Sequence, residues 1–206
     1  MLLERPFLVV TPTVDGDILL ALASAEAEFT PGEVHRLIGE HSLSGVRKAL
    51  ARLTDQGIVA ATRRGNAFTY QLSRKHLAAP AIVELAGLRQ RFVEKLRLGL
   101  AEFTHQPAYG ALFGSAARGD MRVDSDVDLF LIPPDRLDEL ERQKWEVDVA
   151  ALSEAATAWV GNDLRVLEMS GTEARQGLAE REPVLVAVRA EGIPLAGSDR
   201  VWRADA

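Results

Sequence analysis

The N-terminal third of the chain repeats its apolar residues at helical spacing. In DGDILLALASA, residues 15–25, an apolar stripe follows Asp15, which predicts a helix with that aspartate as N-cap. FTPGEVHRLIG, residues 29–39, places Thr30 before Pro31 and Glu33 three residues after the cap, a capping-box pattern that opens a second helix. In HSLSGVRKALARLTDQGIV, residues 41–59, Ser42 or Ser44 precedes apolar positions at Val46, Leu50 and Leu53, and Gly57 ends a third helix. The period then changes. IVAATRRGNAFTYQLS, residues 58–73, reads as two strands about the turn Arg63-Arg64-Gly65-Asn66. From Leu77 to Phe103 a long amphipathic helix is expected, opened by Pro80.

From Pro107 onward strand and helix patterns alternate. YGALF, residues 109–113, is a short apolar strand, and Gly114-Ser115 follows where Ala116-Ala117-Arg118 should begin a helix. GDMRVDS turns the chain into the strand DVDLFLIP. Strand alternation puts Asp126 and Asp128 side by side on one face, pointing toward the Gly-Ser turn, with Val127, Leu129 and Leu131 toward the core. Residues 134–161 predict a helix, GNDLRVLEMS a further strand, and the tail a helix followed by a short strand ending at Gly197.

Composition adds bounds. The 206 residues are 47% hydrophobic and 26% charged, an ordinary globular balance with room for one large domain or two small ones. With no cysteine there is neither disulfide nor thiolate metal site, which fits a reducing cytoplasm. The first residues do not read as a signal peptide, and no run reaches a membrane span, so a soluble cytoplasmic protein is expected. The net charge of −6 conceals an asymmetry. Between Pro31 and His76 stand Arg36, Arg47, Lys48, Arg52, Arg63, Arg64, Arg74 and Lys75 against only Glu33, Glu40 and Asp55. A basic segment in an acidic chain suggests one domain that meets phosphates and another with a different task.

Three helices followed by a basic hairpin resemble the bacterial winged helix-turn-helix regulators over residues 15–76. That resemblance implies double-stranded DNA as a partner. Ser42, Ser44, Arg47, Lys48 and Arg52 would face the major groove, and Arg63 and Arg64 would touch backbone or minor groove from the wing tip. The bland alternative is a winged helix used for protein contact, its cations forming a solvated face. The resemblance also implies a homodimer, because such domains commonly read paired half-sites.

Two neighbouring carboxylates repel and call for a cation. Glycine allows close backbone approach to a ligand, the start of a helix favours phosphate oxygens, and Ser115 adds a hydroxyl. Arg118 would supply a further cation, or anchor the loop on Asp124 or Asp126. The ordered set Gly114-Ser115, Arg118-Gly119 and Ser125-Asp126-Val127-Asp128-Leu129 resembles the nucleotidyltransferases of the DNA polymerase β superfamily, in particular their small prokaryotic members, over roughly residues 107–170. The resemblance implies Mg²⁺ held by Asp126 and Asp128, a nucleoside triphosphate (ATP or GTP) gripped by Gly114, Ser115, Arg118 and Ser125, and transfer of the nucleoside monophosphate to a hydroxyl.

One position departs from that pattern. Where the family carries a third carboxylate, this chain has Arg165; Asp163 shares its face two residues earlier, and Glu168 has the opposite parity. Asp163 is the candidate third acid and base. Arg165 would either neutralise the acid pair without metal or hold a triphosphate.

The expected fold is thus α+β in two domains: a winged helix over 1–78, a connecting helix over 79–104, and over 105–206 a nucleotidyltransferase-type mixed sheet flanked by helices. Three readings stay open. One is a DNA-binding, Mg²⁺-dependent nucleotidyltransferase acting on a protein or small molecule. Another is a transcription regulator whose transferase-like domain is a non-catalytic nucleotide sensor or dimerisation module. A third reading has both domains serving protein contacts, with the transferase acting on its partner. The four histidines, without ligand spacing, read as surface, and Phe130, Trp145 and Trp159 as core.

Overall fold

The computed structural model describes residues 1–203. The chain divides into two compact units, one of Glu4–Arg89 with Leu2, the other running from Gln90 with Met1 and Leu3.

In the first unit α1 (Val14–Ala23), α2 (Pro31–Ile38) and α3 (Leu43–Asp55) precede the antiparallel strands β1 (Val59–Arg64) and β2 (Ala67–Leu72). The capping box on α2 forms as the spacing predicts, with Thr30 accepting from the Glu33 amide and the Glu33 carboxylate from that of Thr30. Ser42, not Ser44, caps α3 through the Gly45 amide. The cap expected at Asp15 is instead Thr13; Asp15 lies within the first turn and is free to pair with Arg52. Ile18, Leu22, Val34, Val46, Leu50, Leu53, Ile58 and Leu72 close a common core, so the apolar stripes of all three helices meet the hairpin. Phe29 adds an antiparallel bridge to Tyr70, a pairing too short for periodicity to show.

The helix expected over 77–103 is two, α4 (Ala79–Ala86) and α5 (Leu88–Ala101), parted at Gly87, where the missing side chain weakens helical preference.

One buried charge organises the first unit. The Asp17 side chain, 10% exposed, accepts from Arg5 Nε and Nη2 at 3.1 and 2.7 Å and lies 2.7 Å from Nε2 of His41, the residue before the α3 cap. Burial alone would raise its pKa, but the Arg5 and His41 hydrogen bonds outweigh it and hold the carboxyl below its usual range. A depressed folded-state pKa gives stability above the unfolded value, about 3.9, that is lost as pH falls through the folded one. We expect Asp17→Asn to lower stability by about 1–3 kcal/mol at neutral pH. Thermal melts below about pH 4 should then fall less steeply for the variant than for the wild type.

The second unit contains β3 (Tyr109–Phe113), the single-turn helix α6 (Gly114–Arg118), β4 (Val127–Ile132), α7 (Glu139–Val160), β5 (Leu164–Glu168), α8 (Gly171–Ala179), α9 (Pro183–Glu191) and β6 (Ile193–Gly197). The sheet is mixed, in the order β5-β4-β3-β6, with β4 and β5 parallel and the other pairs antiparallel. Helices α8 and α9 cover one face over Tyr109, Ala111, Phe130 and Ile132. On the other face α7 sets the fully buried Trp145, whose Nε1 donates to Glu168 at 2.6 Å. Glu168 therefore points away from the Asp126–Asp128 face, as its parity predicts. Helix α8 is absent from the periodicity reading, although Ser170 and Glu173 form a capping box that marks its start.

Candidate nucleotide site

The site is built where β3 ends beside the start of β4. Phe113 pairs with Asp128 across the two strands, so the next residue, Gly114, falls against the Asp128 side chain. Gly114 has φ +68°, in the left-handed region. A Cβ there would lie 3.3 Å from Cγ of Asp128 and collide with one carboxylate oxygen. The Gly-Ser turn and the acid pair thus share one corner, the convergence that strand parity implies. The single turn of α6 ends at Gly119, φ +84°.

The loop into β4 is pinned at several points. The Ser125 hydroxyl accepts from the Arg122 amide at 2.9 Å, so it closes the turn. Asn162, 5% exposed, donates through Nδ2 to the carbonyls of Val123 and Ser125 at 3.2 and 2.8 Å. The residue before Asp126 is therefore held from the α7–β5 connection. Sequence reasoning misses Asn162: one asparagine after a helix-ending glycine looks like any loop residue, and only the fold brings it to residues 123–125. Asn162→Leu should leave those carbonyls unpaired and lower stability by about 1–3 kcal/mol, which a thermal melt against the wild type checks.

The charges are arranged unevenly. Arg165 is the register partner of Asp128 across β4 and β5, and its Nη1 lies 2.9 Å from Oδ2 of Asp126. Asp128, partly buried, has its pKa raised by burial first and by the Asp126 charge second, with Arg165 and Arg118 opposing. The Arg118 guanidinium pairs with Asp120 at 3.1 Å and Glu191 at 3.3 Å, not with Asp124 or Asp126. Asp163 is exposed, and its carbonyl accepts the Val127 amide. Among the described residues no group of three or more His, Cys, Asp or Glu side chains is placed to hold a metal ion. Asp126 and Asp128 supply hard carboxylate oxygens of the kind that suit a single divalent cation. With a guanidinium facing them from β5, these two acids do not fit a pair of divalent ions.

The residues expected to meet DNA separate into two groups. Arg47, Lys48 and Ser44 are exposed on α3. Arg52 is held by Asp15, its Nη2 2.6 Å from both carboxylate oxygens, and the Ser42 hydroxyl is occupied with its cap. Arg64 forks onto Glu28, whose pKa falls to about 2 through Arg64 and then Thr69. Arg63 donates to the Gly65 carbonyl within its own turn.

Residues 93–159 match the family model described as the nucleotidyltransferase domain. The stretch holds Gly114, Ser115, Asp126 and Asp128 and stops short of Arg165. No curated protein matches the chain. Among solved structures it is similar to a toxin–antitoxin with AMP-PNP, at 21% identity and TM-score 0.34, over 54% of this chain and 75% of that one. It is also similar to a variant of the toxin–antitoxin MntA–HpeT, at 18% identity and TM-score 0.36, over 53% and 77%. Among the described residues no helix is long and apolar enough to cross a membrane.

Proposed function

We propose that the second unit binds a nucleoside triphosphate, ATP or GTP, at the Gly114–Asp128 corner and transfers its nucleoside monophosphate to a hydroxyl of a protein or small molecule. The observation that carries this is the Asp128 carboxylate lying against Gly114 within the stretch that matches the nucleotidyltransferase domain. Gly114 lets the chain pass close to a phosphate, and Ser115 offers its hydroxyl there. Asp126 and Asp128 would hold Mg²⁺, which when bound would supply positive charge to the triphosphate; the acceptor oxygen attacks the α-phosphorus and pyrophosphate leaves. Arg118 lies close enough to Asp128 to oppose its raised pKa and adds positive potential beside the phosphates. Asp163 is the base candidate for the acceptor hydroxyl.

The Arg165–Asp126 pair favours a second reading, in which nucleotide is held and not turned over, and the domain works as a sensor or dimerisation module. Incubation with α-labelled ATP or GTP and Mg²⁺ separates the two. Label transferred by the wild type and lost in Asp128→Ala supports the enzyme; nucleotide bound without transfer supports the sensor.

For the first unit we propose a winged helix that docks α3 on double-stranded DNA, with transcription regulation as its role and a homodimer on paired half-sites. The exposed Arg47 and Lys48 would carry the phosphate contacts. Replacing both by alanine should weaken DNA binding across sequences and lower the slope of log K against log salt by about 2. Arg52→Ala, which breaks the exposed Asp15 contact, should weaken DNA binding less than the double variant and change stability by less than about 1 kcal/mol. Equal binding by the wild type and the double variant would leave this helix with a protein partner.

A further inference from the structure

We propose that Arg165 is a built-in cation of the nucleotide site. It holds Asp126 when no nucleotide is present and grips the polyphosphate when one binds, so that binding survives removal of divalent metal. The inference rests on the nucleotide reading of the same corner and adds which charge the site uses.

Arg165 faces Asp128 in register and its Nη1 reaches Asp126 at 2.9 Å, so a guanidinium stands beside the acid pair whose Asp128 lies against Gly114. Its side chain is 70% exposed and that of Asp126 28% exposed. An ion pair this open to water contributes little to stability, because solvent screens it and ordering a long side chain costs entropy. Fold stability therefore does not account for the arginine.

Its chemistry fits a phosphate ligand. A guanidinium stays charged at every accessible pH and presents a planar fork of N–H donors that matches phosphate oxygens. Carboxylates facing a polyanion without a cation would repel it. With the contact to Asp126 made through Nη1, a phosphate arriving from the solvent side meets the exposed remainder of the fork. A metal ion in the same place would leave with a chelator, whereas an arginine cannot.

Titration with ATP and with ADP, in excess Mg²⁺ and in excess EDTA, tests the proposal on the full-length chain. The wild type should bind ATP in EDTA within about tenfold of its Mg²⁺ affinity, one charge-assisted contact standing for much of the ion's contribution. Arg165→Ala should lose at least about tenfold more affinity in EDTA than in Mg²⁺, and Arg165→Lys should keep part of the EDTA binding with its point charge. Arg165→Asp should become strictly metal-dependent and, without nucleotide, take up Mn²⁺ in a spectroscopic titration that leaves the wild type unchanged. Wild-type binding that vanishes in EDTA overturns the proposal, as does an Arg165→Ala affinity unchanged in both conditions. Wild-type protein that binds neither nucleotide even in Mg²⁺ overturns the nucleotide reading itself. A melt of each variant shows that it is folded.

Discussion

Gly114→Ala should nearly abolish nucleotide binding while the rest of the second unit stays folded. Two costs combine at this position. With φ at +68°, a residue bearing a Cβ is strained by roughly 1–2 kcal/mol. The new methyl also meets the Asp128 carboxylate, with Cγ at 3.3 Å and an oxygen nearer still, an overpacking that typically costs about 1–3 kcal/mol. The side chain that must yield is Asp128, so relief of the clash moves a proposed ligand group. Together these predict a loss of stability of about 2–5 kcal/mol and of at least ~100-fold in ATP affinity. Ser115→Ala, which removes a hydroxyl without adding volume, should cost far less of both. Paired melts and titrations measure the split. If Gly114→Ala binds ATP as the wild type does, the corner is not where nucleotide sits.

The reasons this corner was legible in the sequence are local. Strand parity set Asp126 and Asp128 on one face, and β3 and β4 pair so that Phe113 meets Asp128, which carries the Gly-Ser turn to the acids. Capping chemistry was equally local: Thr30 with Glu33 behaved as spaced, and Ser170 with Glu173 would have announced α8. What was not legible depends on distant parts of the chain. Asn162 reaches residues 123–125 only through the β4–α7–β5 crossover. Of the partners of Arg118, Glu191 is brought by the packing of α9 beside α6, whereas Asp120 stands two residues along the same loop. Exposed arginines looked alike in sequence, yet Asp15 and Glu28 engage Arg52 and Arg64, while Arg47 and Lys48 face solvent. That an arginine stands at position 165 was visible, but its contact with Asp126 follows from the β4–β5 register.

Trp145→Ala carries the largest expected loss of stability in the second unit. The indole is fully buried on the α7 face of the sheet and packs edge-on against Phe103, with ring centroids 5.3 Å apart. Deleting a buried tryptophan typically costs about 3–5 kcal/mol through lost transfer energy and the cavity left behind. Its Nε1 also serves Glu168, which among the described residues is left with the Arg142 contact at 2.6 Å once the ring is gone. A drop in Tm on the order of 10 °C follows for a unit of this size. Trp145→Phe separates the two contributions: it fills most of the cavity yet leaves a Glu168 oxygen without its donor, at about 1–3 kcal/mol. Because Glu168 and the acid pair lie on opposite faces of the sheet, both variants should keep wild-type ATP affinity well below their melting points. A variant that melts normally but no longer binds would mean that α7 shapes the nucleotide corner through the sheet.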